Sequence, residues 1–199
     1  DGTPDSNIPL EFTSSQNVYV KDLVAYENEA PFPGYSYPFI LRVRARSTDG
    51  NYNMKNITFV NLTINGGDTF ACLRFNTSGT VSSWEMGVRV INSTLNCQNG
   101  IRFDTQDIQG NLTFKNVDWN KNVFWHPAST NDYEFYNNYY FDELVQNITG
   151  PIENANVVGF DRDNIQQFNV FTNPEGRIPT QILTEFNETK DGRYYFTNY

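Results

Sequence analysis

The residues able to do chemistry are few and scattered. His126 is the single histidine of the chain, in Phe124-Trp125-His126-Pro127. That excludes a zinc centre built from several histidines, and with no Gly-x-Ser-x-Gly elbow a Ser/His triad has no footing. Two acidic segments, Asp104-Thr105-Gln106-Asp107 and Asp161-Arg162-Asp163-Asn164, present oxygen ligands of the kind calcium takes. Neither has the length or ligand count of a dedicated loop, so both read as acidic turns, and neither a cofactor nor a metal is expected. Asn-x-Ser/Thr acceptors for N-glycosylation occur at seven asparagines. Asn56, Asn76, Asn111, Asn147 and Asn187 are the candidates, while Asn61 and Asn92 are set aside for a reason given below. The cysteines, Cys72 and Cys97, form either a disulfide or two buried thiols that behave as small hydrophobes.

Composition says what must hold such residues. The chain has 199 residues, one domain or one domain with an appendage, and a net charge of −9. That charge argues against nucleic acid or an anionic membrane as partner. No apolar run approaches the roughly 18 residues of a spanning helix, and no basic, apolar signal peptide opens the sequence. Only 38% of residues are hydrophobic, yet 16% are aromatic, and 27 are Asn. So aromatic a chain is not disordered, and Asn suits turns and left-handed backbone rather than helices. An all-β fold follows.

Internal repetition refines that. Five segments read apolar, any, apolar, any, Asn or Asp: Val18–Asp22, Ile57–Asn61, Val88–Asn92, Leu112–Asn116 and Tyr133–Asn137. Three residues beyond each come Ala25, Ile64, Leu95, Trp119 and Tyr140. Between successive copies lies a second strand: Leu41-Arg42-Val43, Leu73-Arg74-Phe75, Ile101-Arg102-Phe103 and Val123-Phe124-Trp125. The first-strand spacing falls from 39 to 31, 24 and 21 residues, as when loops vary and strands keep register. Units this short cannot bury an apolar face alone, so they must stack. The inward residues are then Val18, Val20, Ile57, Phe59, Val88, Val90, Leu112, Phe114, Tyr133 and Phe135. Asp22, Asn61, Asn92, Asn116 and Asn137 form a side-chain ladder along the stack, which would make the sequons at Asn61 and Asn92 inaccessible. Cys72 and Cys97 fall on neighbouring units, which permits a bridge.

On these repeats the chain resembles the right-handed parallel β-helix proteins of the pectin-lyase-like class, including NosD-type surface proteins, over about residues 15–150. The resemblance implies an all-β fold of about five coils. Residues 1–14 are expected to be an arm or cap, 28–38 a Pro/aromatic loop, and 151–199 a β-rich C-terminal segment. Relatives that cleave polysaccharide carry several carboxylates, or Asp with Lys/Arg and calcium, on an exposed strand face. The corresponding positions here, Tyr19, Thr58, Arg89, Thr113 and Glu134, hold no carboxylate pair, and the Gly-His-Gly and Arg-Ile-Lys motifs are missing. No catalytic residue is expected.

Arg42, Arg74 and Arg102 share one position on successive units, where like charges repel. They are read first as members of ion pairs, with carboxylates of the chain or of a neighbouring subunit, and otherwise as a strip for an anionic glycan. A stack of strands has two open ends. The first functional expectation is therefore an extracellular or cell-surface structural protein, N-glycosylated, polymerising into a filament, sheath or surface layer. Its contacts would be Ile8 and Leu10 at one end and Tyr194, Tyr195, Phe196 and Tyr199 at the other. The second is a carbohydrate-binding module or degenerate lyase-like β-helix that binds surface polysaccharide through the arginines and exposed Tyr19, Tyr136 and Phe124.

Overall fold

The computed structural model describes residues 10–26, 39–46, 54–66, 71–78, 84–104, 108–127 and 133–197. The expected loop at 28–38, Ile8, Asp107 and Tyr199 lie outside the described residues. In chain order the strands begin with β1 (Leu10–Thr13), β2 (Tyr19–Lys21), β3 (Val24–Tyr26), β4 (Phe39–Arg46), β5 (Met54–Val60) and β6 (Thr63–Asn65). Then come β7 (Ala71–Ser78), β8 (Trp84–Asn96), β9 (Ile101–Asp104), β10 (Ile108–Trp119), β11 (Val123–Trp125) and β12 (Tyr133–Phe141). The C-terminal part adds β13 (Gln146–Asn147), β14 (Gly150–Pro151), β15 (Asn156–Phe160), β16 (Gln166–Phe171), β17 (Gln181–Thr189) and β18 (Gly192–Tyr195). No helix occurs among the described residues, so none is long and apolar enough to cross a membrane.

Two large sheets carry the fold. One is ordered β1-β4-β7-β9-β11 and is parallel throughout. The other runs β18-β17-β12-β10-β8-β5-β2, with β3 and β6 extending the β2 and β5 rows. Its strands from β2 to β12 are parallel, whereas β17 and β18 pair antiparallel. This sheet is therefore mixed. From β1 to β12 the chain alternates between the two sheets, each new strand pairing with its counterpart from the preceding unit.

The registers follow the repeat. Val20, Phe59, Val90 and Phe114 stand in one column, and Leu41, Leu73, Ile101 and Val123 in another. Period-two alternation turns these residues to the space between the sheets, where Phe59, Phe75, Phe103, Phe114 and Phe135 are fully buried. Each such side chain contributes about 1.5–3 kcal/mol by leaving water. Phe103 stacks between Phe75 and Trp125, with ring centroids 5.1 and 4.3 Å away.

Asp22, Asn61, Asn92 and Asn116 all take left-handed backbone, with φ between 48° and 58°. Asn and Asp tolerate that region better than other side chains. Asn61 Nδ2 donates to Asp22 Oδ1 at 2.8 Å, and Asn116 Nδ2 to Asn92 Oδ1 at 3.1 Å. A second rung precedes them: Asn17 and Asn56 also have positive φ, and Asn56 Nδ2 donates to Asn17 Oδ1.

One expectation needs correction. The last unit is displaced by two residues: Leu112 pairs with Phe135 and Phe114 with Asn137, rather than Leu112 with Tyr133. A two-residue slip preserves which face is inward, so the core tolerates it. It also carries Asn137 off the ladder and into the core, where it is fully buried. Residues 10–13, within the segment expected to be an arm or cap, form β1, the first strand of the parallel sheet, with Leu10 opposite Leu41 and Phe12 opposite Val43. Cys72 and Cys97 are joined in a disulfide, their Cα atoms 5.5 Å apart.

Asn61→Ala should destabilise the protein more than Asn61→Gly, since Ala lacks both the short polar side chain that makes left-handed backbone tolerable, a cost of about 1–2 kcal/mol, and the bond to Asp22. Asn61→Gly loses only the bond, so urea denaturation should rank wild type above Gly and Gly above Ala. Replacing both cysteines by Ala should lower unfolding free energy by about 3.5 kcal/mol, the chain-entropy value for a loop of 25 residues.

Candidate assembly surface

The two ends of the stack differ. At the C-terminal end β17 lies antiparallel on β12, and the fully buried Phe186 packs edge-on against Phe135 at 5.7 Å. Asn137, displaced into the core, donates through Nδ2 to Glu185 Oε2 at 2.7 Å and accepts from Trp119 Nε1. The buried Glu185 is neutralised by Lys121, 2.6 Å away. Glu188 accepts from Trp125 Nε1 at 3.1 Å and Arg193 Nε at 2.7 Å, while Arg193 also donates to the Lys121 carbonyl. Buried carboxylates persist only where charge and hydrogen bonds meet them. This network fixes β17 and β18 over the last parallel unit. The Asp161–Asn164 turn then meets β18: Arg162 N donates to the Phe196 carbonyl, its guanidinium lies 5.3 Å from the Tyr194 ring, and the Tyr194 hydroxyl bonds Asp163.

At the opposite end β1, β2 and β3 are edge strands, each paired on one side only among the described strands. Their inward residues Leu10, Phe12, Val20 and Ala25 are only partly buried against the core. Beside them Tyr19, Val24 and Tyr26 are 65, 51 and 61% exposed. Of the expected contact residues, Leu10 lies at this end. Tyr194 is exposed at the other, where Tyr195 and Phe196 are half-buried, Tyr195 on Phe186 and Phe196 on Tyr194.

The arginine column exists in the expected register, Arg42 beside Arg74 and Arg74 beside Arg102. It is a set of ion pairs. Arg42 and Arg44 meet Glu11, while Arg74 and Arg102 reach Asp104 at 2.7 and 2.5 Å. The three side chains of the column are 10, 16 and 11% exposed, so they offer no open strip. Phe124 continues the row, its ring 3.8 Å from the Arg102 guanidinium. Glu11 and Asp104 escape a sequence reading centred on repeats. Leu10-Glu11-Phe12 has the form of the second-strand triplets, and that was the available signal. Burial opposes ionisation of Glu11, but hydrogen bonds from Arg42 and Thr13 and the two arginine charges outweigh it, holding the carboxyl below its usual range.

The other candidates separate. Asp161 Oδ1 accepts from the amides of Asp163 and Ile165, and Oδ2 accepts from Gln167 Nε2, which makes the acidic segment an Asx turn. Asp104 is committed to arginines, and no group of three or more potential metal ligands occurs among the described residues. His126, half-buried, donates its backbone amide to the Phe103 carbonyl. Asn76, Asn111 and Asn187 sit inside strands β7, β10 and β17, whereas Asn147 is at a hairpin turn.

A depressed carboxylate contributes stability that is present above its unfolded pKa, about 4.3, and is lost as pH falls through the lower folded value. Glu11→Gln should lower the melting temperature at pH 7 and flatten its decline below pH 5, as thermal scans across pH would show. No protein-family model matches the chain, and comparisons with curated proteins and with solved structures find no significant match.

Proposed function

We propose that this chain is an extracellular structural protein, N-glycosylated, whose units wind as a right-handed parallel β-helix of about five coils and which associates with further copies through the open end of that coil. The parallel registers from β1 to β12, and the chain's alternation between two sheets, support the winding. The disulfide suits an oxidising compartment.

The observation that carries the assembly is the asymmetry of the ends. At one, antiparallel strands and a buried ionic network cover the last parallel unit of the mixed sheet, with β18 as its outermost strand. The other leaves β1, β2 and β3 as edges with incompletely buried apolar residues, and such edges are templates for pairing. Direction adds a second support. β18 is antiparallel to β17, and β17 to β12, so β18 runs the same way as β2. A copy displaced along the stacking direction therefore brings its β2 to β18 in parallel sense, a heterologous contact that extends into a filament.

A second reading rests on the outer face of the mixed sheet, where Tyr19, Thr58, Arg89, Thr113 and Tyr136 form one row across five strands. Aromatic, hydroxyl and guanidinium groups in a row suit a polysaccharide lying across the strands. Tyr136 bonds Glu134, and that bond, with partial burial, pushes its phenol up to about 12.

Sedimentation and negative-stain microscopy of the full chain decide between them. Concentration-dependent linear particles are expected. Tyr19→Glu with Val24→Lys, both at exposed sites that should not disturb folding, should reduce them to monomers. A wild-type chain that stays monomeric at every concentration overturns the assembly reading, and such a monomer binding polygalacturonate establishes the second.

A further inference from the structure

The seven sequons are not equivalent in the folded chain. Asn61 and Asn56 donate their Nδ2 atoms to Asp22 and Asn17, so the atom that would carry a glycan already holds a rung of the stack. Asn92 is followed by the buried Ser93, Asn111 by the buried Leu112, and Asn187, between β12 and β18, by the buried Glu188. Asn76 is half-buried within β7, with its Oδ1 enclosed.

Asn147-Ile148-Thr149 is different. β13 and β14 form a hairpin in which Asn147 pairs with Gly150, so Ile148 and Thr149 are its two-residue turn. All three residues of the sequon are exposed, and Ile148 is 102% exposed. Three donors converge on Asn147 Oδ1: the Thr149 amide at 2.8 Å, the Thr149 hydroxyl at 2.7 Å and the Gly150 amide at 3.2 Å. Nδ2 donates to no described residue.

We infer that Asn147 is the N-glycosylation acceptor of this protein, taking an oligosaccharide from a donor that carries it on a diphosphate. This deepens the export part of the proposed function and is independent of the assembly. A carboxamide nitrogen is a poor nucleophile because its lone pair is shared with the carbonyl. As Nδ2 gives its proton to a base of the transferase, negative charge builds on Oδ1, where the three donors are already placed to stabilise it. The Nδ2–anomeric carbon bond forms, the bond from that carbon to the diphosphate oxygen breaks, and the diphosphate leaves with the electron pair. The Thr149 hydroxyl explains the sequon's third position here, and the fully exposed Ile148 leaves the transferase free approach. A glycan at this turn meets none of the columns on which the fold depends.

The test is secretion of the full chain from a eukaryotic cell that performs N-glycosylation, with peptide mapping after enzymatic removal of glycans in heavy-oxygen water. Asn147 should carry the label in most molecules, and Asn61, Asn92 and Asn111 in few or none. Thr149→Ala should abolish the label at Asn147 and leave the melting temperature unchanged, while Thr149→Ser should retain part of it. An unlabelled Asn147, or occupancy concentrated at the other sequons, overturns the inference. The sedimentation behaviour of the Thr149→Ala protein, read separately, bears only on assembly, so the two proposals fail independently.

Discussion

Parallel pairing between equivalent strands of successive units is the constraint from which the rest of this structure follows. It turns a loose sequence repeat into columns, because a residue at one phase of a unit must lie beside the residue at the same phase of the next. Apolar columns become the core, stacked aromatics fill its width, and Asp22, Asn61, Asn92 and Asn116 take left-handed backbone at the same height in the first four units. Like charges become neighbours too. Arg42, Arg74 and Arg102 are adjacent for no reason of their own chemistry, and Glu11 on the neighbouring β1 and Asp104 on β9 itself offset that repulsion.

The same constraint explains the treatment of the termini of the stack. A parallel rung offers its far edge to another parallel rung, so the array does not end of itself. Here the C-terminal segment follows the last parallel strand of the mixed sheet with strands of alternating direction. β17 lies antiparallel on β12, and its register with β12 shifts between Asn137 and Asn138. Asn137, Glu185 and Lys121 form a polar cluster at a site that earlier units fill with hydrocarbon. Such a cluster is satisfied in one arrangement only, and it fixes where β17 docks more sharply than apolar contacts would.

Much of this was legible in the residues. Four first-strand units and all four second-strand triplets read in the register the structure has, because period-two alternation and the following Asn mark both face and phase. Tyr133-Glu134-Phe135-Tyr136-Asn137 misled for the same reason. Its apolar residues satisfy the pattern in two registers two residues apart, and only the antiparallel strand added far later in the chain selects between them. β1 was missed because it has no Asn turn and the opposite charge at its centre, although Leu-Glu-Phe matches Leu-Arg-Val in every other respect. The Asn147 turn was visible as a sequon, but its exposure and convergent donors depend on a hairpin that two-residue strands scarcely signal.

The bridge between Cys72 and Cys97 has a mechanical meaning. Inter-strand hydrogen bonds point along the stack, whereas the covalent backbone runs across it. A pull along the stack therefore strains the weak links and a pull along the strands strains the strong ones, which makes the molecule stiff in one direction and separable in the other. One sulfur–sulfur bond lies in the weak direction, near the middle of the molecule, and rivets two adjoining tiers. Under load the tiers on either side would part before those two did.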